Sequence, residues 1–283
     1  MRLVLRGPIR WPGCLSMTDF ADTYSFAEWV LICGGAFALM IALSAGAGFA
    51  LEAALGSSRR IWDLPRQVGQ LRWEFLATLQ FVVMAGFAFA GLIWVVPVAT
   101  GDQDTMRRAI LTFFACWSVF EIYYWGMHRL MHYPQFFRFH RYHHDSKVTS
   151  PLTGYSMSAT ESAGWLLGLV GIPFLLGLIT PISISGLIAY HALYQVPGNV
   201  VGHSNVDPFP KASGTRIGSW ANHPIVYHSL HHARFSNHYS FGSSFMDRLL
   251  GTEWADWPEL HARVIAGKPL RKLSERGSPT PTT

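Results

Sequence analysis

The chain has 283 residues, half of them hydrophobic and only 14% charged, with a positive mean hydropathy, against roughly 25% charged for soluble domains. Its 22 Lys and Arg exceed 17 Asp and Glu by little and without a basic block, which excludes a nucleic-acid strip. Cys14, Cys33 and Cys116 are far apart and form no CxxC pair, which excludes a disulfide framework and a thiolate metal site.

The composition is that of an integral membrane protein. A spanning helix needs about 20 apolar residues, because every backbone N–H and C=O in hydrocarbon must be satisfied within the segment. Residues 1–27 form a Trp- and Pro-containing leader, and the apolar stretch behind it is too long for a cleaved signal. Segments 29–51 and 75–100 are uncharged and predict two spans; 109–127, interrupted only by Glu121, predicts a third that runs into His128. Residues 162–202 carry no charge over 41 positions, enough to cross twice, with Thr180-Pro181 as the turn of a hairpin. The fold class is all-α: an integral membrane bundle of about four to five spanning or hairpin helices with a cytosolic histidine-rich cap. The domains expected are transmembrane helices over 28–127, a histidine-box domain over 128–257 that includes the 162–202 hairpin, and a flexible tail over 258–283.

Arg59, Arg60, Arg66 and Arg72 against Asp63 mark the 55–72 loop as cytosolic by the positive-inside rule, whereas 101–108 is balanced. Counting spans from there returns the chain to the cytosol at 128 and again at 203, so every dense histidine cluster shares one side. Arg2, Arg6 and Arg10 of the leader fall on the opposite side and run against this topology.

Three clusters carry the chemistry: "HRLMH" (His128, His132), "HRYHH" (His140, His143, His144) and "HSLHH" (His228, His231, His232), with His203 in "VGHSNV" between the last two. On a helix, residues three and four apart share a face, so each cluster can converge on one side. Imidazole suits Zn, Cu, Fe and Ni, and eight or nine such ligands exceed what one tetrahedral zinc requires, so two metal ions are expected. A lone HxxxH is as often a surface accident, but three boxes on one membrane face are not. Glu121 shares the helical face of His128 and is a candidate hydrogen-bond partner for it. His191 fits a hydrogen-bonded core histidine, His223 either a ligand-supporting or a loop-capping role, His238 a reserve ligand, and His261 the surface.

These boxes resemble the fatty acid hydroxylase and sterol desaturase superfamily, membrane histidine-box enzymes marked by HxxxH, HxxHH and a late HxxHH. The likeness runs from about Glu121 to Glu253: "EIYYWGMHRLMH", "SPLTG" and "FGSSFMDRLLGTE" are similar to family signatures, and "RRIWDLPRQVGQLRWE" looks like the sterol C-5 desaturase branch. Asn199, Ser158 and His238 depart from the family pattern. The resemblance implies two non-haem Fe2+ ions held by His128, His132, His140, His143, His144, His203, His228, His231 and His232, with His238, His223 and Glu121 as further candidates. It implies an O2-dependent lipid hydroxylase or desaturase acting on a sterol, fatty acyl or related isoprenoid substrate. Electrons would come from a cytochrome b5-like or ferredoxin donor, since the chain has no GxGxxG or CxxCH context of its own. The host membrane would be the bacterial inner membrane or the endoplasmic reticulum. The rival from another class is a histidine-rich membrane metal transporter or metal-binding protein, which predicts ligands inside the spans; only Glu121 and His191 lie there. A zinc hydrolase of the HExxH type is not supported, because that motif is absent.

Overall fold

The computed structural model describes residues 20–278 apart from 216. Arg2, Arg6, Arg10 and Cys14 of the leader, and the last five residues of the tail, lie outside the described residues.

Four helices are long and apolar enough to cross a membrane: α1 (Phe26–Leu55), α2 (Gln70–Val95), α3 (Met106–Met131) and, after the short α4 (Pro134–His144), α5 (Ala159–Gly177). Helix α1 starts at Ser25, whose side chain accepts from the Glu28 N–H while the Glu28 carboxylate accepts from the Ser25 N–H. Thr105 and Ser158 cap α3 and α5 by accepting the Arg108 and Glu161 N–H groups, without the reciprocal bond. Helices α1 and α2 pack closely through Gly86, where a Cβ would come within 2.8 Å of the Val30 carbonyl oxygen. The outward faces of all four long helices carry exposed Leu, Ile, Val and Phe side chains, among them Leu39, Leu79, Phe114 and Leu175. In water such a belt would be an aggregation surface. In a bilayer it is the lipid contact, and the chain is an all-α membrane bundle.

The expected hairpin forms, with its bend near Thr180-Pro181. Its returning arm is not one continuous helix: α6 (Ile184–Tyr190) passes through a wide π-helical turn, His191–Gln195, into α7 (Val196–Val201). Beneath it, β1 (Val98–Ala99) pairs in parallel with β2 (Ile182–Ser183), Val98 opposite Ile182, which closes the end of the bundle away from the histidines.

The opposite end is covered by a cap with its own core, in which Trp62, Tyr227, Leu230, Trp257, Leu260 and Leu270 are almost fully buried. Helices α8 (Ile225–Arg234) and α9 (Trp257–Ile265) build it. The stretch 258–278, expected as a flexible tail, is instead part of this cap. Leu270 accepts a backbone hydrogen bond from Asp63 and donates one to Ile61, and Glu275 pairs with Arg263. Leu260, Val264 and Leu270 find their apolar partner surface in Ile61 and Trp62 together with Tyr227 and Leu230 of α8. His261 is likewise buried rather than on the surface, 3.8 Å from Asp207.

Candidate metal centre

Nine imidazoles meet at the cap end of the bundle. Helix α3 ends with His128 and His132, α4 carries His140, His143 and His144, His203 follows α7, and α8 carries His228, His231 and His232. They fall into two groups: His128, His132, His140, His144 and His231 in one, His143, His203, His228 and His232 in the other, with the ligand atoms of each group within 4.8 Å of one another. The i,i+4 pairs 128/132, 140/144 and 228/232 each stay within one group. The middle histidine of each HxxHH box, His143 or His231, is rotated round the helix and enters the other group, so both HxxHH boxes serve both groups while His128 and His132 serve one.

The Nδ1 atoms are held from behind. His128 is 2.9 Å from the Tyr239 carbonyl, His132 3.0 Å from Phe235, His143 3.2 Å from Ser156, His203 2.5 Å from Asn199, His231 2.6 Å from Asn237 and His232 3.1 Å from Ser146. His140 instead meets Oε1 of Glu161 at 2.7 Å. Oxygen acceptors at Nδ1 fix the proton there and leave Nε2 free as a ligand. Three of the carbonyls come from one strained loop: Phe235, Asn237 and His238 all have φ between 56° and 58°, a left-handed conformation that non-glycine residues rarely adopt. That turn aims the carbonyls of 235, 237 and 239 at three imidazoles of the same group.

The donor set fits metal ions. Nε2 of His144 lies 3.1, 3.0 and 3.1 Å from Nε2 of His132, His140 and His231, and Nε2 of His228 lies 3.0 Å from that of His203. One N–H on His144 could satisfy only one of three facing lone pairs. A cation satisfies all of them, and nitrogens about 3 Å apart suit adjacent ligands on bonds of about 2.1 Å. Nε2 of His128 and of His232 is buried with no protein partner. Burial also keeps these imidazoles neutral: it pushes His143 down to about 3, and His132 and His203 down to about 4. His140, His144, His228, His231 and His232 move well below the ordinary value for the same reason.

Other sequence candidates fall outside both groups. Glu121 does not support His128; its carboxylate accepts from the Tyr194 hydroxyl at 2.5 Å and the Gly242 and Ser243 N–H groups, and so ties the 240–243 loop to α3. His238 is not a reserve ligand, because both ring nitrogens are in use: Nδ1 donates to the Tyr227 carbonyl at 2.8 Å and Nε2 accepts from the Trp254 N–H at 3.0 Å. Its ring stacks on Tyr227 with centroids 3.6 Å apart, and this strut holds the left-handed loop. His223 also stacks on Tyr227, with centroids 4.4 Å apart, and its Nδ1 lies 3.2 Å from the Pro224 carbonyl. His191 is a buried core histidine 3.4 Å from Oε1 of Gln195, as expected.

Glu161 is the supporting residue that sequence reasoning left without a role. The signal was present: Ser158, three residues earlier, marks the start of α5 and so places the acid in its first turn. Glu161→Gln is expected to lower metal affinity about 10- to 100-fold through His140, read by metal titration; unchanged affinity would remove Glu161 from the support of the site.

Two cavities adjoin the histidines. An outer groove of about 290 Å³, lined by Tyr124, Leu193, Tyr194, Pro197, Phe209 and Phe241 among others, reaches His203 and His228. A small inner cavity of about 20 Å³ lies against His140 and His143, one from each group, and shares Tyr124 and Asn199 with the groove. Its remaining walls are largely apolar side chains of the spans, Phe81, Phe120, Trp165 and Leu169. The chemistry this permits is a metal-dependent reaction on a largely apolar molecule lying in the outer groove.

Residues 113–252 match the family model for fatty acid hydroxylase, and with them the chain carries a fatty acid hydroxylase domain. Among its relatives, Protein CER1-like 2 of Arabidopsis thaliana is 31% identical over 137 residues, 46% of this chain and 22% of that protein. Very-long-chain aldehyde decarbonylase CER1 of the same plant is 32% identical over 133 residues, 46% and 21% of the two chains. Very-long-chain aldehyde decarbonylase GL1-6 of Oryza sativa subsp. indica is 29% identical over 154 residues, 52% and 23%. The matched region therefore spans less than a quarter of the length of these curated relatives. No solved structure matches the chain. Fold, domain and histidine cluster together define a helical membrane bundle with a candidate metal centre at one end.

Proposed function

We propose that this protein is a non-haem diiron oxygenase that hydroxylates or desaturates a lipid with O2 and electrons from an external donor. The observation that carries the reading is the division of nine imidazoles, eight of them buried, into two adjoining groups beside two cavities. His128, His132, His140, His144 and His231 would hold one Fe2+, and His143, His203, His228 and His232 the other. Bound iron supplies activation of O2 for attack on an unactivated C–H bond. The protein's own part is to fix seven of the imidazoles through their Nδ1 partners, exclude water with the cap, and hold the lipid chain near the centre with Tyr124, Tyr194 and Phe241 of the outer groove. The arginine-rich 55–72 loop favours a cytosolic position for the cap, where a cytochrome b5-like or ferredoxin donor has access from water.

A second reading is conversion of a long-chain aldehyde, favoured by the names of the relatives and by the position of the matched segment over the histidines. The sterol C-5 desaturase likeness stays a third possibility of substrate branch. Lipid mass spectrometry of a host with and without the gene is expected to show a product that has gained one oxygen or lost two hydrogens, or an aldehyde consumed to a hydrocarbon. The purified protein is expected to hold close to two metal ions; a single zinc and no oxygen consumption would sink the diiron reading.

A further inference from the structure

The inner cavity has a polar floor in the middle of a membrane bundle. Gln195 lines it at the end of the π-helical turn, and its Oε1 accepts from the Tyr155 hydroxyl at 3.0 Å and lies 3.4 Å from Nδ1 of His191. Tyr155, His191 and Gln195 are all at least 97% buried, and the His191 ring is boxed in by Phe37, Phe89 and Tyr190 at centroid distances of 5.3, 5.0 and 4.9 Å. Polar side chains at this depth are costly unless they have a task, and π-helical turns within helices often mark functional positions. With Oε1 committed to two donors, the amide nitrogen of Gln195 is the group left to donate. Oε2 of Glu161, on the same cavity, is buried without a partner.

The cavity's size limits what it can take. About 20 Å³ holds roughly one water or one small functional group, not an alkyl chain. The groove of about 290 Å³ on the other side of Tyr124 and Asn199 is where a chain fits.

We propose that Gln195, oriented by Tyr155 and His191, is a specificity-determining residue that donates a hydrogen bond to a terminal carbonyl or hydroxyl oxygen of the lipid, whose chain lies in the outer groove. The inference rests on the reading of a lipid as substrate, and it places the oxygen-bearing carbon beside His140 and His143. A plain hydrocarbon end would leave the amide unpaired, which is where discrimination arises.

The test uses binding rather than turnover, so its failure is separate from failure of the oxygenase reading. Thermal stabilisation of the full-length, detergent-solubilised protein is measured with n-alkanes and with 1-alkanols and aldehydes matched to them in length, across a series from dodecyl to octacosyl. The native protein is expected to bind at least one oxygenated class about tenfold or more tighter than the alkane. Gln195→Leu is expected to bring that ratio close to one while alkane affinity is kept, and Tyr155→Phe, which frees the amide, to lower it partway. Which of the aldehyde and alcohol binds tighter identifies the group. Equal binding of alkane and oxygenated probes by the native protein, no binding of any probe, or a Gln195→Leu variant that loses alkane and aldehyde affinity alike would each overturn the proposal.

Discussion

Replacing His231 or His143 by alanine is expected to reduce the metal content from about two ions per chain toward one and to lower product formation by at least about a hundredfold. The size of the effect follows from geometry. His231 belongs to the five-imidazole group and His143 to the four-imidazole group, and each is buried among its fellows. Loss of a residue that merely supports a ligand already costs about 10- to 100-fold, so loss of a ligand costs more. The two variants also separate the groups. Metal analysis with graded chelation is expected to show His231→Ala weakening one ion and His143→Ala the other. Native metal content and activity in both would remove these residues from the centre.

The second large effect is expected at Glu74, a fully buried acid in the first turns of α2. Its Oε1 accepts from the Gln70 amide at 2.8 Å, the Ser146 hydroxyl at 2.7 Å and the Thr153 hydroxyl at 2.6 Å, and its Oε2 from the Ser150 hydroxyl at 2.5 Å. One carboxylate thus pins the 146–153 segment. The segment matters because the Ser146 carbonyl orients His232, and Ser156, just beyond it, orients His143. Glu74→Leu leaves four buried donors without an acceptor, each worth about 1–3 kcal/mol, so a destabilisation of about 4 kcal/mol or more is expected. Thermal denaturation and metal retention measure it. The four-imidazole group is expected to lose its ion first, and Glu74→Gln to be milder, since it keeps one acceptor oxygen. A Glu74→Leu protein that melts and binds metal like the native one would show that the carboxylate does not hold this segment.

Much of the architecture is legible in local sequence. Apolar runs of spanning length and the absence of charge predict α1, α2, α3 and the hairpin, because a bilayer punishes unsatisfied backbone and charge in a way that leaves a strong compositional mark. The spacing of the boxes predicts which histidines share a helical face, and all nine histidines of the three boxes and "VGHSNV" do meet at one end of the bundle. His191 fits its expected core position for the same reason: it lies deep in an apolar span.

The isolated residues were not legible. Glu121 and His128 share a helical face, yet Tyr194 and the 242–243 backbone, far away in sequence, capture the carboxylate first. His238 follows a ligand box closely, but Trp254 and Tyr227 occupy both of its nitrogens. His261 looks exposed in sequence, yet it is buried beside Asp207, and Val264 and Leu270 after it are buried in the core that Ile61, Trp62, Tyr227 and Leu230 share.

Sequence by itself determined the class of molecule, the apolar segments long enough to span and the imidazoles that meet at one end of the bundle, since helical period and hydropathy act over a few residues. Only the tertiary structure decided how the boxes divide into two groups, which carbonyls meet the rings, and that Glu161 meets His140 while Glu74 holds the 146–153 segment. The reason is physical: a ligand is oriented by oxygen atoms from a distant loop in an uncommon left-handed backbone, and no local periodicity encodes where that loop comes to rest.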